Sequence, residues 1–365
     1  MFDIRIRFIM LPLFIFLLIA QVSYGKGFTA GKITKIEGAV SIIRADGGKI
    51  QAKPYGPLYA GDRIVTGKGA SVWFTLEGNR LIKLGADSQV AVDELSDPEV
   101  EDDSPSLRLI VGRLWAKIEK LAGKTPGMKL HTATCVLGVR GTEFETVVAL
   151  DAASVITVDE GSIEVDVDDR NTLVNQGKML EVEMDGKAAP PVDALPKDQR
   201  DWEAWRAQRS QRLLKHLPQM VPRFAERFNR AVFRLDRFSE KISRKAEELR
   251  KSIERFRQAR AEGNRIKGAQ AAQQLKKEVQ EFKAMLGKFR QGANRVLLMS
   301  RFAERLENFT NENKALYSTE ALTAIESNLV IISKRGEELR TLLTNTFGDI
   351  RGIFRELRAL RAEAP

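Results

Sequence analysis

The hydrophobic period of this chain changes near residue 190, and that change restricts the fold more than any other feature of the sequence. Before it, short runs of β-branched residues are separated by Gly, Asp, Asn and Pro, a pattern typical of strands and tight turns. After it, apolar residues recur at spacings of three and four over long stretches, which is typical of amphipathic helices. The sequence therefore predicts a β-rich region followed by an α-helical region.

The first region, residues 26–184, is predicted to be all β. The turn segments Asp46-Gly47-Gly48 and Asp159-Glu160-Gly161-Ser162 contain residues that tolerate positive φ, so neighbouring strands are expected to form antiparallel hairpins. There is no room for helices between the runs, which leaves a sandwich, a barrel or a short β-roll as candidate folds. The predicted strands are residues 40–43, 72–76, 81–84, 90–92, 107–111, 144–148, 155–158 and 163–167.

The second region, residues 198–365, is predicted to form a bundle of long helices or a coiled coil. Helix breaks are expected at Gly263-Asn264 and within residues 311–319, where Ser318 or Thr319 can act as N-cap. Single polar helices are unstable alone, so their apolar stripes must be buried against each other or against a second copy. The stripes cover residues 228–256, 275–289 and 322–350.

Residues 185–197 are predicted to be a linker between the two regions. The segment contains Pro190, Pro191 and Pro196, and three prolines are expected to prevent regular pairing and to stiffen the chain in an extended form. The helical residues that follow are expected to end near Pro218 and Pro222.

Trp202 and Trp205 follow the linker and would share one face of a helix. Packing of these two indoles on the β region is the favoured interpretation. Contact with a partner or with a membrane interface is the alternative.

The N-terminal residues predict a secretory signal peptide, residues 1–25. Two arginines precede an apolar run at residues 8–20, and Ser23 and Gly25 lie three positions and one position before a cleavage point. The expected location is the periplasm. The alternative is an uncleaved anchor in the inner membrane, although the apolar run is slightly short for a span.

The net charge of +10 arises from the part of the chain after Pro196, where basic residues outnumber acidic ones. Such a surface attracts polyanions, so the expected partners are an envelope protein or an anionic envelope polymer. Self-association through the helices and membrane association through an uncleaved N-terminus are further expectations. Nucleic acid is not expected as a partner of an exported protein, and the basic residues are interleaved with Glu as on solvated helix faces.

No constellation of catalytic residues can be identified, so the chain is predicted to be no enzyme and to hold no cofactor and no metal. The two histidines, His131 and His216, fall in different regions, and the lone Cys135 has apolar neighbours typical of a buried side chain. The acidic residues 96–105 are predicted to be a solvated loop. A calcium site there or at residues 166–169 is the alternative.

A set of motifs in the β region resembles the FecR domain over roughly residues 33–180. The first half carries a Gly-Asp-x-Ile-x-Thr turn, and the second half carries the run Val-Arg-Gly-Thr-Glu-Phe, which makes the resemblance fairly specific. The signature residues are predicted to hold the fold together, with a recognition surface as the alternative. They are Gly61, Asp62, Thr66, Gly112, Val139, Arg140, Gly141, Thr142, Glu143 and Phe144.

Within this signature, Gly141 permits a turn that residues with a Cβ rarely adopt, and Arg140 is expected to hold a carboxylate or a backbone carbonyl. The resemblance implies an envelope-sensing or regulatory role, since classical members relay a signal from an outer-membrane transporter to a sigma factor. Here the hydrophobic run begins at Phe8, and helices replace the signal-receiving C-terminal region.

The sequence therefore predicts a non-enzymatic periplasmic protein that acts as a binding, scaffold or sensing module. In this prediction the β domain serves recognition, and the helices serve oligomerisation or docking. The alternative is a membrane-anchored signal transducer that resembles FecR proteins.

Overall fold

The structure, a computed structural model, describes residues 29–77, 79–92, 105–119 and 127–362. The predicted signal peptide and most of the predicted acidic loop lie outside these described residues. Within them, seventeen strands precede three long helices, which confirms the predicted β-then-α fold class.

The strands cover the described part of the chain from Thr29 to Asp193, and all eight predicted strands are present. They are β1 (Thr29–Glu37), β2 (Val40–Ile43), β3 (Lys49–Gln51), β4 (Pro57–Tyr59), β5 (Arg63–Thr66), β6 (Ser71–Leu76), β7 (Arg80–Leu84), β8 (Gln89–Val92), β9 (Ser106–Ile118), β10 (Gly127–His131), β11 (Val136–Arg140), β12 (Glu143–Val148), β13 (Ser154–Glu160), β14 (Ser162–Val167), β15 (Arg170–Asn175), β16 (Lys178–Val182) and β17 (Val192–Asp193).

The strands form two sheets that share the long strand β9. Sheet A has the order β4-β1-β6-β7-β9-β12-β13-β16-β17, and sheet B has the order β3-β2-β5-β8-β9-β10-β11-β14-β15. All of these pairings are antiparallel except β9 with β10. Each sheet ends in edge strands among the described residues, so the arrangement is an open sandwich and not a closed barrel.

One hydrophobic core lies between the two sheets. Phe74, Phe144 and Ile156 enter it from sheet A, and Leu109 and Val165 enter it from sheet B, all fully buried. Strand β6 alternates between buried and half-exposed residues, as expected for a sheet with one solvated face, whereas all six residues of β12 are buried. Both faces of β12 are therefore covered, and the second cover comes from the helical region.

The helices are α1 (Trp202–Ala261), α2 (Arg265–Asn313) and α3 (Thr319–Ala362), and α1 alone is about 90 Å long at 1.5 Å per residue. They run up, down and up again as a three-helix bundle. Their predicted stripes pack against one another: Phe289 of α2 stacks between Phe238 of α1 and Phe347 of α3, with ring centroids 6.2 and 5.5 Å away. Of the two predicted alternatives, the structure shows burial of the stripes against each other within one chain.

The predicted helix breaks are confirmed. Gly263 adopts a left-handed φ of 67°, and the Asn264 side chain caps α2 by accepting hydrogen bonds from the backbone N–H groups of Ile266 and Lys267, both at 3.1 Å. The Ser318 hydroxyl accepts a hydrogen bond from the N–H of Ala321 at 3.3 Å, and α3 begins at the next residue, Thr319.

The predicted helix end near Pro218 and Pro222 is wrong, because both prolines lie inside α1. Pro218 has no N–H to donate to the carbonyl of Leu214, one turn earlier. The hydroxyl of Tyr317 donates to that carbonyl instead, at 2.9 Å. A residue about a hundred positions away thus replaces the hydrogen bond that proline removes, and local sequence rules could not predict it.

The prediction that the linker prolines prevent regular pairing is also wrong at one point. Val192 and Asp193 form β17, which pairs with Met179 and Lys178 at the edge of sheet A. Pro191 and Pro196 flank these residues and do not occupy the paired positions. Among the described residues, none of the helices has the length and apolar content that a membrane span requires.

Two glycines of α3 give a sharp test of helix packing. A Cβ on Gly336 would lie 2.3 Å from the Cβ of Ser300 in α2, whereas a Cβ on Gly348 would meet nothing within 4 Å. We expect Gly336→Ala to lower the free energy of unfolding by about 1–3 kcal/mol through overpacking. Gly348→Ala should raise it by up to about 1 kcal/mol through helix propensity. Urea denaturation followed by circular dichroism measures both.

The pair Gly336→Ala with Ser300→Gly provides the control for this packing, because it removes the Ser300 side chain that the new methyl group would meet. Stability should largely return in the double variant. If Gly336→Ala stabilises the protein as Gly348→Ala does, the close approach of α2 and α3 at Ser300 is contradicted.

Candidate recognition cleft

The first signature turn is held by buried polar groups. Asp62 is 1% exposed, and its carboxylate accepts hydrogen bonds from the N–H of Tyr59 at 2.8 Å and from Arg44. Burial raises the pKa of Asp62, although these donors oppose the rise. The neighbouring Gly61 has a φ of 86°, which favours glycine.

The side chain of Thr66, at the end of β5, connects the first signature turn to the turn between β7 and β8. Its hydroxyl donates to the carbonyl of Gly85 at 2.6 Å and accepts from the N–H of Ser88 at 3.0 Å. Gly112 lies against the same Ser88 at the point where β9 passes from sheet B to sheet A, with a φ of 105°.

The second signature run surrounds the turn between β11 and β12. Val139 and Phe144 are buried in the core, and Gly141 has a φ of 60°. The Thr142 hydroxyl lies 3.0 Å from the carbonyl oxygen of Arg140 and 3.2 Å from that of Ser162. These contacts fasten the turn to the following hairpin.

The prediction that Arg140 holds a carboxylate or a backbone carbonyl is wrong. Its side chain is exposed, and no carboxylate or carbonyl oxygen of the described residues lies within hydrogen-bonding distance of it. The residue stands at the end of β11, where its side chain points away from the core while the neighbouring Val139 points inward. It is therefore available for contact with solvent or with a partner.

Glu143 connects the signature to the segment before α1. Its carboxylate accepts hydrogen bonds from Lys117 at 3.0 Å and from Lys197 at 2.7 Å. Although burial opposes ionisation, these two lysines hold the pKa of Glu143 below its usual value. The signature thereby fixes the start of the helical region on sheet A.

Trp202 continues this attachment, and its predicted packing on the β domain is confirmed. The indole is 8% exposed, packs on Val147 and Val155, and donates from Nε1 to Glu145. Trp205 contacts Trp202 edge-on, with ring centroids 6.4 Å apart. These indoles cover the outer face of β12 and β13.

Buried arginines hold the bundle on the sandwich, and the sequence did not predict them. Arg227 of α1 is 1% exposed and donates to the backbone carbonyls of Ala133, Thr134 and Met184 at 2.7–3.2 Å and to the carboxylate of Asp168. Burial by itself would raise the pKa of Asp168, but the charge and hydrogen bonds of Arg227 and the charge of nearby arginines hold it below its usual value.

The possible calcium ligands of residues 166–169 therefore have arginine partners. Arg295 of α2 donates to Asp166 at 2.7 Å and to Asp168 at 3.3 Å, and Arg234 lies 3.5 Å from Asp168. Among the residues that the structure describes, no group of three His, Cys, Asp or Glu side chains is arranged to hold a metal ion.

Cys135 and His131 are both buried in the sandwich. Burial raises the pKa of the Cys135 thiol, which disfavours the nucleophilic thiolate. The thiol lies 3.3 Å from the hydroxyl of Thr132. This environment is that of a structural cysteine.

A cleft of about 860 Å³ lies on the outer face of sheet A, against the residues that begin α1. We call it the recognition cleft and define it by its floor, Trp73, Lys83 and Trp115, and by its wall, residues 198–203 and 206. The floor residues lie side by side on β6, β7 and β9, since Trp73 pairs with Lys83 and Lys83 pairs with Trp115.

The two indoles of the floor are half-exposed, and lysines accompany one of them. The ammonium groups of Lys35 and Lys83 lie 4.6 and 4.4 Å from the ring centroid of Trp73. Such cation–π contacts orient the ring. Trp115 is flanked by Lys83 on one side and by Glu145 on the other.

Ion pairs and hydrogen bonds fix the walls of the cleft. Glu145, 4% exposed, accepts from Arg113 and from the indole of Trp202. Arg206 of α1 donates to the backbone carbonyls of Ala86 and Asp87 at 3.4 and 3.0 Å. The cleft is thus a preformed surface with aromatic faces and polar walls, whose chemistry suits binding.

Comparison with known proteins agrees with the resemblance found in the sequence. Residues 62–164 match the family model described as FecR protein, so the chain contains a FecR domain within its β sandwich. No curated protein matches the chain.

Among solved structures, the chain is similar to the crystal structure of a "putative anti-sigma factor" from Parabacteroides distasonis ATCC 8503. The identity is 16%, the TM-score is 0.31, and the alignment covers 36% of this chain and 59% of that chain. It is also similar to a structure described as a cell surface anchoring domain, with 28% identity and a TM-score of 0.17 over 17% of this chain and 83% of that one.

Proposed function

We propose that this chain is a non-enzymatic periplasmic protein that acts as an envelope binding, scaffold or sensing module through its FecR domain. The observation that carries the proposal is the recognition cleft, where Trp73 and Trp115 stand half-exposed on a rigid sheet between fixed polar walls. Half-exposed aromatic side chains supply contact area at low entropic cost, which is typical of binding surfaces. The resemblance to envelope-sensing FecR proteins supports the location.

The bundle supplies a second surface, suited to docking on an anionic envelope polymer or membrane. Its far end, about 50 Å beyond Arg227 at 1.5 Å per residue, is the basic tip, residues 255–277. Within it, Glu262 is the single acidic residue and Ile266 is 73% exposed. The basic tip carries exposed Arg255, Arg257, Arg260, Arg265, Lys267, Lys276 and Lys277.

Docking through this tip accounts for the helices better than oligomerisation through their stripes. The stripes are occupied within one chain, as the stack of Phe238, Phe289 and Phe347 illustrates. The exposed cations of the tip attract a negatively charged surface, and that attraction weakens with salt.

The proposal is tested by expressing the full chain in a Gram-negative host, fractionating the cells and sequencing the N-terminus. A soluble periplasmic protein that begins near Lys26 is expected. An intact Met1 in the inner membrane would contradict the periplasmic module and favour the membrane-anchored transducer.

Sedimentation of the purified protein with anionic phospholipid vesicles tests the basic tip. The variant Arg265→Glu with Lys276→Glu and Lys277→Glu should lose most of its salt-sensitive binding. The matched control, Lys49→Glu with Lys53→Glu and Lys68→Glu, changes the net charge equally on the exposed surface of the β domain and should bind as the parent does. If both variants lose vesicle binding equally, net charge alone explains the binding and the basic tip is not the docking site.

A further inference from the structure

We infer that the recognition cleft binds an extended oligosaccharide without net charge, whose sugar rings stack on Trp73 and Trp115. This inference rests on the proposed function and deepens it by naming the class of ligand. It follows from the spacing of the two indoles, the charge balance of the lining and the pairing of the strands beneath.

The spacing of the indoles fits a chain of rings. Trp73 and Trp115 occupy the same cross-strand row with one strand between them, so their backbones lie about 10 Å apart, twice the distance between neighbouring strands. A sugar ring presents a flat apolar face of C–H groups to an indole, and on Trp73 it takes the place of a lysine ammonium group that lies over the ring. Two indoles at this separation match alternate rings of an extended chain that crosses the strands.

The charge balance of the lining fits a ligand without net charge. The basic members are Lys83, Arg113, Arg200 and Arg206, and the acidic members are Glu145, Asp198, Asp201 and Glu203. Equal numbers of the two signs cancel over the cleft, so it has little long-range attraction for a polyanion. Together with Ser71 and Gln199 they supply both donors and acceptors, and hydroxyl groups are both donors and acceptors.

The strands beneath the cleft leave no place for a peptide to pair. β6 pairs with β1 and β7, β7 pairs with β6 and β9, and β9 pairs with β7 and β12. A peptide that binds by strand addition needs a free edge with unpaired backbone groups. The cleft therefore offers no free strand edge, and its ligand is recognised by ring stacking and by side-chain hydrogen bonds.

The experiment is isothermal titration calorimetry of the purified full chain with chitotetraose, cellotetraose and maltotetraose. At least one of these neutral tetrasaccharides is expected to bind. Trp73→Ala and Trp115→Ala should each weaken binding by about tenfold, the loss of one aromatic stacking contact. The double variant should show no measurable binding, and Trp73→Phe should lose less than Trp73→Ala.

Three controls make the outcome specific. Phe233→Ala removes an aromatic side chain that is 63% exposed on α1, outside the cleft, and should leave binding unchanged. The vesicle-binding variant Arg265→Glu with Lys276→Glu and Lys277→Glu should also bind the tetrasaccharide normally. Circular dichroism should show that each Trp variant is folded.

The inference is overturned if none of the three tetrasaccharides binds, or if binding survives in the double Trp variant. It is also overturned if a heparin tetrasaccharide binds more tightly than the neutral ones and depends on the same indoles. In those cases, salt-sensitive vesicle binding and a periplasmic location would leave the proposed function standing. If the protein binds a tetrasaccharide but shows neither salt-sensitive vesicle binding nor a periplasmic location, the proposed function is contradicted instead.

Discussion

Replacing Arg227 by methionine is expected to lower the free energy of unfolding by about 3–5 kcal/mol, the usual loss when one partner of a buried ion pair is removed. Arg227 is 1% exposed and its guanidinium satisfies the carbonyls of Ala133, Thr134 and Met184 as well as the carboxylate of Asp168. Methionine fills similar volume but removes the donor of the three carbonyls in a buried interface, while Asp168 keeps Arg295 and Arg234 as partners.

The loss of the Arg227 contacts should also uncouple the unfolding of the β sandwich from the unfolding of the helical bundle. All four tryptophans, Trp73, Trp115, Trp202 and Trp205, lie on or against sheet A, so their fluorescence reports the sandwich and its attachment to α1. Far-UV circular dichroism reports mainly the helices. In urea the two signals should coincide for the parent protein and diverge for Arg227→Met.

Arg230→Met is the matched control on the same helix. The Arg230 side chain is 61% exposed and its nearest carboxylate, that of Glu226, is 3.9 Å away. Exposed pairs of this kind contribute little, so the change should stay within about 0.5 kcal/mol. If the two variants lose the same stability, Arg227 does not fasten the bundle to the sandwich.

The interface around Arg227 could not be predicted from the sequence, although the strands and helices that form it could. The strands and helices were predictable because alternation and the three-to-four spacing are local signals, and capping at Asn264 is local as well. The partners of Arg227 lie far away in the sequence and are mostly backbone carbonyls, which carry no sequence pattern. Interleaved basic residues on a helix therefore gave no sign that Arg227 is buried.

The cleft could be predicted in part. Trp73 lies between Val72 and Phe74 in a predicted strand, so alternation alone places its indole on the face opposite the core. Its placement beside Lys83 and Trp115 depends on the register of β6, β7 and β9, which a single sequence does not reveal. The adjacent Val147 and Val148 point to opposite faces of β12, which was a signal that both faces are covered at the end of this strand.

Gly112→Ala is expected to lower the free energy of unfolding by about 3 kcal/mol or more, because backbone strain and overpacking act together. Gly112 has a φ of 105°, which a residue with a Cβ rarely adopts, and that Cβ would lie 2.5 Å from the Cα of Ser88. Moving Ser88 would break its hydrogen bonds with Thr66 and with the N–H of Arg113. The damage should therefore reach the signature turn and the wall of the recognition cleft.

Gly69→Ala isolates the backbone contribution to this loss. Gly69 has a φ of 65°, and a Cβ there would meet nothing within 4 Å, so only left-handed strain of about 1 kcal/mol is expected. Urea denaturation followed by tryptophan fluorescence compares the two variants. A loss for Gly112→Ala no larger than that for Gly69→Ala would mean that β9 can bend without close contact to Ser88. A much larger loss would show that the passage of one strand between two sheets requires glycine at this position.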